Sequence, residues 1–333
     1  MKRIITIFSL ITIIFLIGCT GDIPEDPFAN EDPGMVQVPA EASDDEGIKV
    51  TKDGVKYLVD PKKILGGGPP KDGIPSIDNP VYVSVKEADE WIEDNELVLA
   101  IIHKDHKRVY PLQILVWHEI VNDVIEGDPL LITYCPLCGS GIAYERKITV
   151  DEKDITVEFG TSGKLYNSNL VMYDRETNTY WSQIDGNAIV GELTGQELKE
   201  VSIDTVAWRD WKKEHPDSDV LSQFTDYSRP YGKDPYGSYY EESNLFFPVE
   251  NEDNRIHPKD VVFGVEDDGT YIAYREIDLL KGDIDDTANG IKVARSPAGI
   301  VKVMKGDVEL VKERGFWFSW YAFHPNTELY ELN

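Results

Sequence analysis

The chain has 333 residues, 11% of them aromatic, and a formal net charge of −28 at pH 7. A surface this acidic is repelled by phosphate backbones and anionic headgroups, so nucleic-acid binding is set aside. With only three cysteines there is no disulfide framework, and the aromatic content supplies core material for one large or two ordinary domains.

Residues 1–18 read as a lipoprotein signal peptide. Lys2 and Arg3 precede an apolar run from Ile4 to Ile17, which falls short of the roughly 20 apolar residues a membrane span needs. Gly18 before Cys19 fits cleavage joined to lipidation of the Cys19 sulfur. The expected protein is therefore a membrane-anchored, extracytoplasmic lipoprotein, periplasmic or at the cell surface. Its partner there is the membrane, through the lipid on Cys19. Residues 19–54 are rich in Asp, Glu and Pro and poor in apolar side chains, and so read as a disordered tether. Order is expected from about Val55.

The run Gly66-Gly67-Gly68-Pro69-Pro70 makes the approach to the body a series of turns. Ser84 three residues ahead of Glu87 signals a capped helix reaching toward Asn95. Leu97–Ile102 reads as a buried strand, followed by a turn and a second strand to Tyr110. From Pro111, the recurrence of Leu112, Leu115, Ile120 and Val124 predicts a helix that carries Trp117-His118-Glu119. Leu130–Tyr134 and Ile142–Lys147 read as strands flanking a turn that holds Cys135 and Cys138. Trp208–Pro216 has the look of a helix end, and the Tyr-, Gly- and Pro-rich tract from Asp226 to Phe247 reads as a long loop.

The chain also resembles itself. Val98–Leu115 matches Val262–Leu279 without a gap, and Val171–Tyr180 matches Tyr321–Tyr330 in its aromatic and threonine positions. The expected class is α+β, mostly antiparallel with short helices, built as a tandem duplication. The first half spans about 75–195, a linker helix and Tyr-rich loop about 196–255, and the second half about 256–333. Arg295–Gly299 stands in the second half where the first has its cysteines.

Val109–Asp123 (Val-Tyr-Pro-Leu-Gln-Ile-Leu, then Trp-His-Glu-Ile-Val-Asn-Asp), Thr133–Gly141 (Thr-Tyr-Cys-Pro-Leu-Cys-Gly-Ser-Gly), Phe159–Asn169, Asp174–Gln183 and the Trp-rich Phe316–His324 together resemble the family called domain of unknown function 3179. The resemblance implies a prokaryotic, usually exported protein and carries no activity with it.

Three chemistries fit Cys-Pro-Leu-Cys in an oxidising compartment. A Cys-Pro-x-Cys-Gly turn between strands has the shape of a metal knuckle. It supplies two thiolates toward copper(I) or zinc, with His118 the first choice of further ligand and Glu119 or His324 weaker ones. A thiol–disulfide enzyme is the second reading, although no helix follows to acidify the first cysteine. A small structural disulfide is the third. Ser162, Asn167, Asp174, Arg175, Trp181 and Gln183 are candidate pocket residues beside it, and a non-catalytic binding module remains a further alternative. No nucleotide loop or nucleophile elbow is present, so neither a nucleotide cofactor nor hydrolase chemistry is expected.

Overall fold

A computed structural model describes residues 41–42, 47–150 and 152–331. The signal segment, Cys19 and most of the tether lie outside these residues. Order begins before Val55, because Lys49–Val50 pairs antiparallel with Lys56–Tyr57. The body is α+β and mostly antiparallel. No helix among the described residues is long and apolar enough to cross a membrane.

Leu97–His103 and His106–Pro111 form a hairpin in register from Val98 opposite Pro111 to His103 opposite His106. Lys104 and Asp105 both take positive φ at its tip, the turn geometry that matches strand twist. Asp204–Ala207 adds antiparallel on one side, Asp219–Leu221 adds parallel on the other, and Tyr82–Ser84 closes the edge. The helix Trp208–Glu214 lies between the two added strands and buries Trp208 and Trp211 against Val98, Ala100 and Val109. The segment read as a linker helix thus completes this sheet. The capping box at Ser84 and Glu87 is present, but its helix stops at Ala88.

The helix expected from Pro111 to Val124 is corrected. Only Leu112–Leu115 is helical, Glu119 turns at φ 58°, and Ile120–Ile125 is a strand paired with Asp128–Cys135. Helical spacing was present, yet the β-branched run at Ile120, Val121, Val124 and Ile125 sits just before Glu126-Gly127. Those two residues both take positive φ and make a tight hairpin, which decides for strand. Asp128–Cys135 continues through a turn into Ser140–Glu145, with Glu200–Val201 beyond. Phe159–Tyr166, Asn169–Asp174, Tyr180–Ser182 and Ala188–Val190 form a further antiparallel array.

The C-terminal part uses the same strand order. Lys312–Phe316 pairs with Val261–Asp267, which pairs with Thr270–Arg275, which takes Glu328–Leu329 in parallel. Ile284–Asp286, Ile291–Arg295 and Val301–Lys305 follow as an antiparallel set. Val98–Leu115 and Val262–Leu279 occupy like positions. The second sequence match is corrected: Val171–Tyr180 spans a strand and a turn, whereas Tyr321–Tyr330 ends the helix Trp317–Phe323 and enters a short strand. By position in the sheets, the counterpart of Trp317–Tyr330 is Trp208–Leu221. Trp211 Nε1 donates to Ser218 Oγ at 2.9 Å and Trp320 Nε1 to Thr327 Oγ1 at 2.8 Å.

Buried polar groups tie the N-terminal sheets together. Asp123 accepts from Arg108 at 2.9 Å and from the hydroxyls of Tyr82 and Tyr110. Arg146 donates to the carbonyls of Asp123, Leu130 and Val157 at 3.0 Å each. Removing one member of a buried ion pair strands the other charge. Asp123→Ala is therefore expected to cost about 3–5 kcal/mol in urea unfolding, whereas Asp154→Ala, whose partner Lys147 is exposed, should leave the urea midpoint almost unmoved.

Candidate dithiol site

The hairpin between Asp128–Cys135 and Ser140–Glu145 brings the two cysteines together. Cys138 N–H donates to the Cys135 carbonyl at 3.1 Å. This closes a β-turn whose first and last Cα atoms lie within about 7 Å, overlapping the range a disulfide bridges. Gly139 leaves the turn at φ 61°, and a Cβ there would meet the Phe316 ring at 2.8 Å. Only glycine fits this position without strain.

Both cysteines are free thiols, 2% and 0% exposed, and each acts on the other's ionisation. Cys138 Sγ donates to the Ser168 carbonyl at 3.4 Å and accepts from Asn169 Nδ2 at 3.5 Å. Asn169 and Ser140 also donate to Gln183 Oε1, at 2.7 and 3.2 Å, while Gln183 Nε2 donates to Thr133 Oγ1 at 2.9 Å. The buried hydroxyls of Ser168 and Ser319 have no acceptor at hydrogen-bond geometry. Ser319 nevertheless lies close enough to Cys138 Sγ to favour its charged form.

The two thiols are electrostatically unlike. Burial, the hydrogen bond with Cys138 and the nearby charges of Cys138 and Glu119 push Cys135 well above the ordinary thiol range. Burial also raises Cys138, but donors from Cys135, Ser319 and Asn169 outweigh it and bring that thiol down. Glu119, 7% exposed, is pushed up to about 8, first by burial and then by repulsion from Cys138. It is a protonated acid at neutral pH beside a dithiol.

A strap of the long loop seals the turn. Tyr239 Oη donates to the Leu137 carbonyl at 3.0 Å, and Tyr236 and Tyr240 pack on the same core. The Lys259 ammonium holds the strap by donating to the carbonyls of Tyr239, Glu242 at 2.6 Å and Asn244 at 2.8 Å. Upstream, Trp117 Nε1 donates to the Lys233 carbonyl at 3.1 Å.

His118 is not directed at the sulfurs. Its Nδ1 pairs with the Pro75 carbonyl at 2.7 Å and its Nε2 with Tyr231 Oη at 2.6 Å, so the imidazole fastens the entry segment and the loop. His324 stacks on Tyr271 at 4.2 Å and packs on Trp320. Among the described residues no group of three His, Cys, Asp or Glu side chains converges to hold a metal ion. Of the candidate pocket residues, Gln183 is linked to Cys138 through Asn169, and Trp181 shares the core of the cysteines. Asp174 receives Trp181 Nε1 at 2.9 Å and caps the turn at Thr177. Arg175 pairs with Asp78 and Glu158 at a half-buried surface. Ser162 bonds backbone at a bulge, and Asn167 accepts from Glu250 N–H at 3.0 Å. Ser319, Asn169 and the tyrosine strap were not singled out from sequence. The only signal for Ser319 was its place inside the Trp-rich motif.

The sequence profile of the family described as "Protein of unknown function (DUF3179)" matches residues 71–296, and the chain belongs to that family. No curated protein and no solved structure matches the chain.

Burial lowers both His118 and His324 to about 4. A folded-state value below the unfolded one gives stability that is complete above about pH 6.5 and is lost as pH falls toward 4. For His118 the loss is roughly 3 kcal/mol. Urea midpoints measured from pH 7 to 4 should fall steeply in the wild type and distinctly less in His118→Gln.

Proposed function

We propose that this DUF3179 family member is a thiol–disulfide redox protein whose dithiol, Cys135 and Cys138, exchanges two electrons with an external disulfide. One observation carries the reading: two free, buried thiols sit at the ends of one tight turn, where the Cys138 N–H donates to the Cys135 carbonyl at 3.1 Å, and the charge of Cys138 acts on the buried Glu119 carboxyl, whose pKa is pushed up to about 8. A proton donor and acceptor is most effective when its pKa lies near the working pH. In the exchange, one cysteine thiolate attacks the external disulfide, forms a mixed disulfide and expels the first thiolate. Glu119 protonates that leaving group. The carboxylate so formed takes the proton of the second cysteine, whose sulfur displaces the remaining thiol and closes Cys135–Cys138. That last thiolate takes up the proton shed by the first cysteine. The dithiol is oxidised by two electrons and the external disulfide leaves as two thiols.

The metal reading keeps a narrower support. With His118 and His324 engaged elsewhere and no third His, Cys, Asp or Glu converging among the described residues, the site offers two sulfurs. That set falls short of the four ligands of structural zinc and suits thiophilic copper(I).

The lipoprotein assignment is part of the same proposal, supported by Lys2, Arg3, the short apolar run and Gly18-Cys19. It places the dithiol outside the cytoplasm, where oxidants of thiols are available. The tandem duplication is proposed as its origin. It is supported by the repeated strand order, the paired Trp-to-Ser and Trp-to-Thr bonds, and the positive φ shared by Gly139 and Gly299 after their turns. In this view the dithiol belongs to one copy, and Arg295–Gly299 fills its place in the other.

Equilibration of signal-free protein in thiol/disulfide buffers, with thiols counted by mass after alkylation, should show a two-electron transition between about −300 and −120 mV. Glu119→Gln should slow disulfide closure on the order of 10²-fold and remove the rate change near pH 8. Thiols that stay reduced across the range, or one equivalent of copper retained by anaerobic wild type and lost in Cys135→Ser, overturn the redox reading.

A further inference from the structure

Ser319 enters the dithiol site from the C-terminal part of the chain, on the helix Trp317–Phe323. The preceding residue pins the turn, since Phe316 N–H donates to the Cys138 carbonyl at 2.8 Å. Ser319 is 1% exposed, and its hydroxyl has no acceptor at hydrogen-bond geometry. An unpartnered buried hydroxyl is costly, and such groups concentrate where a functional state supplies the missing partner. A neutral thiol is a weak acceptor, whereas a thiolate draws a hydroxyl strongly. Asn169 Nδ2, already 3.5 Å from the same sulfur, is the second donor. Cys135 has one such donor, the backbone N–H of Leu170, against the two side-chain donors at Cys138.

We propose that Ser319 and Asn169 hold the negative charge on Cys138 Sγ, making Cys138 the attacking sulfur and Cys135 the one that resolves the mixed disulfide. This deepens the redox reading and rests on it for the word attacking. The substrate class follows from burial. Both sulfurs are sealed beneath the tyrosine strap, so the fitting oxidant is a small disulfide, of the size of an oxidised tripeptide thiol or less, and not one held in a folded protein. Cys138 thiolate forms a bond to one substrate sulfur as the substrate S–S bond breaks. The leaving thiolate is protonated by Glu119, and Cys135 then forms the intramolecular bond as the Cys138–substrate bond breaks. Ser319 is a positioning residue in this scheme, because it acts through the sulfur and does not react.

The test is a pH titration of ultraviolet thiolate absorbance, which does not depend on reagent access, in the Cys135→Ser and Cys138→Ser proteins. The thiol left in Cys135→Ser, which is Cys138, should ionise at the lower pH. Adding Ser319→Ala to Cys135→Ser should cut the thiolate fraction at neutral pH about tenfold, the scale of one hydrogen bond to a charged group. Ser319→Thr should restore it, and near-ultraviolet circular dichroism should confirm that each variant is folded. The proposal is overturned if Cys135 is the more acidic thiol, or if folded Ser319→Ala leaves the Cys138 titration unmoved. The two ideas fail separately: an acidic Cys138 in a protein that never forms its disulfide sinks the redox cycle alone. In wild type, reaction with a folded protein disulfide as fast as with a small one overturns the assigned substrate class.

Discussion

The Cys135–Gly139 turn is held between two parts of the chain that are far apart in sequence. On one side it continues the Asp128–Cys135 and Ser140–Glu145 hairpin. On the other, Phe316 closes its ring over Gly139 and donates its N–H to the Cys138 carbonyl. A side chain at position 139 displaces that ring, and moving the ring moves the helix that carries Ser319. The seam between the two sheet systems is therefore also the wall of the site. Packing and chemistry are decided by the same few atoms.

Burial sets the electrostatics around that seam. In a low-dielectric interior an unpaired charge is expensive, so each titratable group there either finds donors or stays neutral. Cys138 finds donors, Glu119 keeps its proton, and His118 is kept neutral between a carbonyl and a phenol. Two neighbouring acids whose environments push them in opposite directions form a natural proton-transfer couple. A disulfide staple would need none of this asymmetry.

Much of the architecture was legible from the sequence because its signals were local. The Leu97–Tyr110 hairpin, the Ser84 capping box and the strands flanking the cysteines each rest on a short pattern. Where two patterns competed, reading by spacing alone misjudged the outcome. Ile120 and Val124 fit a helix as well as a strand, and the Glu126-Gly127 turn decided between them. The likeness of Val98–Leu115 to Val262–Leu279 was legible because their strand and turn positions coincide. The second match was misplaced at Val171–Tyr180, where aromatic and threonine coincidences stood in for the tryptophan helix at Trp208. Of the residues around the cysteine turn, Cys135, Cys138, Glu119 and Gln183 were marked by their motifs. Ser319 and the strap tyrosines were not, because only the meeting of strands distant in sequence brings them to the turn. His118 was singled out as a ligand from its place one strand before the dithiol, whereas its ring nitrogens are taken by the Pro75 carbonyl and the Tyr231 hydroxyl, groups that no sequence pattern pointed to.

The lysine clasp has a consequence for how often the sulfurs meet solvent. Lys259 keeps its ammonium away from water by surrounding it with backbone oxygens of the strap, and its affinity for a proton is lowered by that burial. Peeling the strap away unmakes those contacts together with the phenol bond to Leu137. Solvent access to the sulfurs is thus tied to a lysine that lies outside the turn.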